Sequence, residues 1–229
     1  GKGKINIDFK SSYTMLPETI DLVNAQQYAE LMNEFNEYLG DDPIYDGTYH
    51  PAQNGEDRYF PTPEEIPDLM GEGTDWQKEI MRHATSNDLN VRMSGGSKDI
   101  NYNISGGFLN TEGLLKNTSF DRYSLRGSLN FKLNEVVKLS WNVNGSIITS
   151  NRSNTNTNRF DGGGTERSGV IVKAFMSSPV MRVGESWFND EVENSNGSFG
   201  TFNPLVDLTD QYYFKKNYNL NTNLRLDFK

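Results

Sequence analysis

The sequence predicts an all-β fold: a partial antiparallel transmembrane β-barrel of about six strands, joined by long, partly helical loops. Two observations predict it. Between Asn87 and Ser150 four segments alternate strictly between apolar and polar residues. The connections between strands also alternate, from very long to very short.

The alternation comes first. Leu89, Val91 and Met93 alternate with Asn90, Arg92 and Ser94; Tyr102, Ile104, Gly106 and Phe108 alternate with Asn101, Asn103 and Ser105. Tyr123, Leu125, Gly127, Leu129, Phe131 and Leu133 alternate with Arg122, Ser124, Arg126, Ser128, Asn130 and Lys132. Val137, Leu139, Trp141, Val143, Gly145 and Ile147 alternate with Lys138, Ser140, Asn142, Asn144 and Ser146. A period of two places each set on one face of a strand, so each strand has one apolar and one wet face. The strands are expected at about 87–97, 100–110, 120–133 and 136–150. Two more flank them. Ile5, Ile7, Phe9 and Tyr13 mark a strand at 4–13; Tyr218, Leu220, Leu224, Leu226 and Phe228 mark one at 212–229.

The connections come next. Residues 97–99 form a tight turn, residues 110–119 a medium one, and Asn134-Glu135 another tight one. Residues 14–86 and 151–211 are two large loops, expected to be external. Long structureless connections count against a compact soluble sheet, whereas short turns on one rim and long loops on the other are the asymmetry of an outer-membrane barrel. Strands of ten or more residues suit a tilted span of the bilayer. Tyr123, Phe131, Trp141, Tyr218 and Phe228 fall where interfacial aromatic girdles belong. The rival reading is a soluble antiparallel sandwich with its polar face in bulk water.

Within the first loop the spacing predicts a helix over 25–39. Asn24 is its N-cap, with Gln27 three residues on, and Gly40 is its stop. Ala25, Tyr28, Leu31, Met32, Phe35 and Leu39 form its apolar stripe. Pro43, Pro51, Pro61, Pro63 and Pro67 predict an irregular stretch. Asp75 caps a short helix over 76–83, and a further helix is expected near 168–178, ended by Pro179.

Composition bounds the function. The net charge of −9 argues against a nucleic-acid partner. Residues 14–86 hold 16 acidic and 3 basic side chains, leaving the rest of the chain with a net charge of +4. There is no cysteine, so neither disulfides nor thiolate metal sites contribute. No run approaches the roughly 20 apolar residues a membrane-spanning helix needs. Both ends read as interruptions of a pattern, which predicts a piece of a longer protein.

No catalytic constellation is legible, so no enzyme is expected. His50 and His83 are the two histidines, without a paired nucleophile or metal-ligand spacing. Gly162-Gly163-Gly164 lacks the Lys-Ser/Thr of a phosphate-binding loop. The acidic pairs Asp41-Asp42, Glu56-Asp57 and Glu64-Glu65 offer calcium the oxygens it prefers, without EF-hand spacing. Calcium in the external loops is the one cofactor entertained. Tyr45, Tyr49, Trp76, Trp187 and Phe188 are the loop aromatics that could stack on sugar rings or meet a partner protein; the alternative is that they pack the loops together. Asn101, Asn103, Arg126, Asn142 and Asn144 are the candidates for facing a lumen.

Several runs resemble a known family. Thr74-Asp75-Trp76-Gln77, Leu89 to Gly96, and Tyr102-Asn103-Ile104-Ser105-Gly106-Gly107-Phe108 resemble the barrel start of the SusC/RagA family, the TonB-dependent outer-membrane transporters of Bacteroidetes. Thr111-Glu112-Gly113, Phe120-Asp121-Arg122-Tyr123-Ser124-Leu125-Arg126, Thr19 to Ala25 and Phe202-Asn203-Pro204-Leu205 extend the resemblance toward both ends. It implies an about 22-stranded barrel closed by a plug, of which residues 1–229 are an N-terminal part of the wall. It also implies a SusD-like surface lipoprotein as lid, energy from the TonB complex, and oligosaccharide or peptide as cargo in nutrient uptake. The plug and the TonB-contacting segment would lie outside this stretch. The other functional readings are a soluble β-rich carbohydrate-binding module and a passive outer-membrane porin or receptor barrel.

Overall fold

The computed structural model describes residues 3–51, 57–153, 169–183, 204–210 and 212–228. They form two compact units: residues 1–16, 83–152 and 213–229 in one, and residues 17–82 and 153–212 in the other.

The first unit is a six-stranded antiparallel sheet. Its strands are β1 (Lys4–Thr14), β4 (Ala84–Gly96), β5 (Ile100–Glu112), β6 (Ser119–Lys132), β7 (Val137–Ser153) and β8 (Tyr212–Phe228), side by side in that order. Strands β2 and β3 belong to the second unit, so every neighbour in the sheet is the next sheet strand along the chain. This up-and-down order is that of a barrel wall. The wall is not closed.

The register shows why the alternation matters. Ile7, Val91, Gly106, Leu125 and Gly145 lie across from one another on successive strands, and so do Phe9, Leu89, Phe108, Tyr123 and Ile147. These strands thus present their alternating apolar positions to the same face, where cross-strand pairs stabilise the ladder; Leu109 and Ile148, on either side of Arg122, fall on the other. A slip of one residue would turn a strand over, so this pattern pins the register. Among the described residues no second sheet covers that face: Leu125 is 54% exposed and Ile104 42%. The strand order and the uncovered apolar face are those of a barrel wall. Its apolar positions on β6 and the following turn climb from Tyr123 to Leu133. Ten residues rise about 34 Å, or about 26 Å along a barrel axis at the usual strand tilt, close to the apolar band of outer-membrane barrels.

Local chemistry sets the ends of the strands. The β4–β5 turn closes with Ser97 N–H donating to Ile100 O at 2.6 Å. In the β6–β7 turn the Asn134 carboxamide oxygen accepts from the N–H groups of Val136 and Val137, both at 2.8 Å, which is the Asx-turn use of asparagine. At Gly95 a Cβ would come within 2.6 Å of the Tyr102 hydroxyl, so only glycine leaves room for that ring on the opposite strand.

The second unit gathers residues from both long loops. It contains α1 (Ala25–Leu39), β2 (Thr48–Pro51) paired with β3 (Asp57–Phe60), α2 (Ile66–Met70), α3 (Trp76–Ile80), α4 (Val170–Met176) and α5 (Pro204–Asp210). The α1 capping box forms as expected: the Asn24 side chain accepts from Gln27 N–H at 2.9 Å, and the Gln27 side chain accepts from Asn24 N–H at 3.1 Å. Gly40 terminates the helix at φ 85°. The stripe on α1 divides, however. Ala25 and Ala29 are buried, and Tyr28 and Met32 pack against the core, but Leu31, Phe35 and Leu39 remain exposed.

The proline-rich stretch also differs from expectation. It holds the β2–β3 hairpin and α2, whose Pro67 lies in the first turn, where a missing N–H costs nothing. The core of this part is Ala25, Ala29, Ile44, Tyr45, Phe60, Ile66 and Val180. Val180 comes from the second loop and the other six from the first. Two segments read as separate loops therefore share one core.

Candidate functional site

The polar face of the sheet is built by the same register as the apolar one. Asn6, Arg92, Ser105, Arg126 and Asn144 form one transverse row, and Lys4, Ser94, Asn103, Ser128 and Asn142 the next. Arg92, Asn103, Ser105, Arg126, Asn142 and Asn144, with Asn221 and Asn223 from β8, line a shallow depression of about 650 Å³. Four of the five lumen candidates, Asn103, Arg126, Asn142 and Asn144, are thus brought together. Asn101 lies one row farther along, opposite Gly96 and Asn130. The contributions of Arg92, Asn221 and Asn223 were not singled out from sequence, although the alternation contains them. The depression is chemically simple: two guanidinium groups and several carboxamides, able to donate and accept hydrogen bonds to a polar solute or polypeptide.

The aromatic candidates in the loops separate. Tyr45 is 5% exposed and Trp76 3%, so both are core side chains of the loop unit and not contact surfaces. The reason is local. Trp76 Nε1 donates to Ser178 O at 2.8 Å, which satisfies the indole inside the core. Tyr45 packs edge-on against Tyr28 and Phe60, with centroids 6.4 and 5.7 Å away. Tyr49 is different, at 70% exposure. Its ring lies 5.2 Å from that of the half-buried Tyr59, which the sequence does not single out. Trp187 and Phe188 lie outside the described residues, as does Gly162-Gly163-Gly164.

Around that pair the acidic groups are occupied. The Tyr59 hydroxyl donates to Glu65 Oε2 at 2.8 Å, and the same oxygen accepts from Thr62 N–H at 2.9 Å. These bonds hold the Glu65 carboxyl below its usual range and push the Tyr59 phenol up. At Asp46, partial burial pushes the carboxyl up, but hydrogen bonds from Thr48 and His50 outweigh it and leave the group below its usual value. Among the described residues no three acidic or histidine side chains gather as a metal site would require. His83 stacks on Tyr13 at 5.4 Å, and its Nδ1 accepts from Leu16 N–H at 3.2 Å, a structural role at the end of β1.

Comparison with known proteins bears on this wall and its loops. No family model matches the chain. It is 24% identical over 212 residues to a TonB-dependent receptor, P3, of Formosa agariphila, covering 92% of the chain and 17% of that protein. It is 28% identical over 137 residues to the TonB-dependent receptor SusC of Bacteroides thetaiotaomicron, covering 60% of the chain and 13% of that protein. Among solved structures it resembles the RagAB peptide transporter, with a TM-score of 0.56 and 16% identity over 97% of this chain and 26% of that one. The open-open state of the RagAB peptide importer gives a TM-score of 0.58 at 14% identity, over 99% of this chain and 26% of that one. The chain is thus similar to TonB-dependent receptors, SusC among them, and shares the fold of the RagAB structures. It spans under a fifth of the length of the curated relatives it matches. The relatives and structural neighbours are TonB-dependent receptors and a peptide transporter, not enzymes.

Proposed function

We propose that this chain is part of an outer-membrane importer that takes up oligosaccharides or peptides with energy from TonB, in company with a SusD-like surface lipoprotein. The supporting observation is the two-faced wall. Register carries the alternating apolar positions from Leu89 to Ile147 to one face and gathers Arg92, Asn103, Arg126, Asn142 and Asn144 on the other. In a closed barrel that polar face lines the lumen, and cargo leaving the plug passes its guanidinium and carboxamide groups. The long loops capture cargo and meet the lipoprotein on the outer side, with the exposed Tyr49 ring, backed by the half-buried Tyr59, as a platform for a sugar ring or an apolar side chain.

The test is uptake by cells expressing the full-length receptor. Labelled malto-oligosaccharides and mixed oligopeptides are supplied before and after the inner-membrane proton gradient is collapsed. An importer accumulates one of the two classes and stops when the gradient is gone. Uptake that persists without the gradient makes the protein a passive pore. Failure to take up either class overturns the cargo assignment.

A further inference from the structure

We propose that the apolar face of the wall carries a seat for one lipid: an acyl chain in a groove beneath Phe108, Tyr123 and Tyr218, with its phosphate held by Lys216. The groove encloses about 650 Å³ and runs across the strands from Leu89 and Val91 on β4 to Tyr218 and Leu220 on β8. Five strands at sheet spacing make it about 19 Å long. Its floor is low because Gly106 and Gly145 share a row with Leu125 between them. A Cβ at Gly106 would find its nearest atom, Ser124 O, at 3.9 Å, and one at Gly145 would find Leu220 Cδ1 at 3.7 Å. Other glycines of the sheet are tight by comparison, with Cβ contacts of 2.8 Å at Gly107 and 3.0 Å at Gly127. The space over Gly106 and Gly145 is therefore real room on the face.

The occupant follows from position and charge. The outer face of a barrel stays outermost when further strands complete the wall, so the groove opens onto lipid. Lys216 lies two residues before Tyr218 on β8, on the same face and nearer the rim of the long loops. Its ammonium stands 5.3 Å from the Tyr218 ring centroid. Among the described strands it is the one cation at an apolar-face position; Lys4, Arg92, Arg126, Lys138 and Arg225 all fall on the polar face. An ammonium at the top of an apolar groove, where the band meets water, matches a phosphorylated, acylated lipid of the outer leaflet. The ring under it keeps the charge at headgroup depth.

Native mass spectrometry of the detergent-extracted full-length receptor tests this, with dipalmitoyl phosphatidic acid and dipalmitoylglycerol as probes. The wild type is expected to retain phosphatidic acid about fivefold over the diacylglycerol, the preference one lysine supplies to an anionic headgroup. Lys216→Gln should abolish that preference, and Gly145→Leu or Gly106→Leu should reduce retention of both probes by filling the groove. Heat-modifiable gel migration reports separately that each variant is an assembled barrel, so loss of the wall is distinguished from loss of the seat. Equal retention of the two probes by the wild type, or an unchanged preference in Lys216→Gln, overturns the proposal. So does a polypeptide found in place of lipid.

Discussion

Phe108 and Tyr123 face one another across β5 and β6 with ring centroids 4.9 Å apart and planes at 33°. One step along the same face, Asn110 Nδ2 donates to Asp121 Oδ1 at 2.7 Å. Within two residues on each strand the face changes from a pair of tilted rings to a hydrogen-bonded carboxylate. That change marks the boundary of the apolar band, and the ring pair is its girdle. Substituting either ring by alanine in the full-length receptor should destabilise the barrel. A double-mutant cycle in denaturant titrations should return a coupling of about 0.5–1.5 kcal/mol. A coupling of zero would mean the two rings serve the band independently.

The two faces should respond oppositely to charge. Leu129 lies between Tyr102 and Trp141 on the apolar face, whereas Ser128 lies between Asn103 and Asn142 on the polar one. Leu129→Arg should cost about 2–4 kcal/mol near the bilayer midplane. Ser128→Arg should leave folding nearly unchanged. Urea unfolding in liposomes measures both, and equal losses would reverse the facing assigned to β6.

Trp141 offers a finer version of the same test. Its Nε1 donates to Thr222 Oγ1 at 2.9 Å across to β8, on the apolar face. Facing hydrocarbon, an indole N–H without a partner is costly. Thr222→Val should therefore destabilise the barrel by about 1–3 kcal/mol, the cost of a stranded donor. Trp141→Phe combined with Thr222→Val should recover part of that loss. No recovery in the double variant would place the indole N–H within reach of water.

The wall was legible in the sequence because a period of two, sustained over ten residues, has one structural meaning and leaves each strand little choice of register. The loop unit was not. Its strands β2 and β3 are four residues each, too short to display a period. Its prolines from Pro43 to Pro67 read as breakers, yet Pro67 lies in the first turn of a helix. The burial of Tyr45 and Trp76 depends on partners distant in the chain, such as Ser178, 102 residues beyond Trp76. Aromatic identity alone does not separate a core ring from a contact ring. The polar depression falls between these cases: alternation named its face, but only the register showed which rows meet.

At Gly73 the first loop lies hard against the second. A Cβ there would lie 2.5 Å from Pro179 O and 2.6 Å from the Ala25 Cβ, and the residue has φ +86°. Beside it Thr74 N–H donates to Pro179 O at 2.8 Å and Thr74 Oγ1 to Met181 O at 2.6 Å. Gly73→Ala should cost the loop unit more than about 2 kcal/mol, since the left-handed conformation alone accounts for roughly 1–2. Gly40→Ala is the control: φ is +85° there too, but nothing lies within 4 Å. It should show the conformational cost without the clash. Limited proteolysis of the loops in the assembled receptor compares them. Equal sensitivity of the two variants would mean the loops do not depend on this contact.

Asp75 ties the same region to pH. Its side chain caps α3, accepting from Gln77 N–H at 3.1 Å and Lys78 N–H at 3.2 Å, and it pairs with Lys78 Nζ at 2.8 Å. Partial burial pushes the carboxyl up, but the bonds from Lys78 and Gln77 outweigh it and leave the group below its ordinary value of 3.8. A carboxyl depressed in the folded state stabilises fully above its unfolded value, and that contribution disappears as pH falls through the lower folded one. The loop unit should therefore loosen as the medium is acidified below about pH 4, measured as amide exchange at Gln77 and Lys78. Asp75→Asn keeps an N-cap acceptor but removes the charge. It should be weaker than wild type at neutral pH, by a fraction of the roughly 0.5–2 kcal/mol a cap supplies. In the acid window its α3 exchange should stay flat. If the variant loosened over the same pH range as the wild type, another carboxylate would be responsible, and the Asp75 cap would be merely structural.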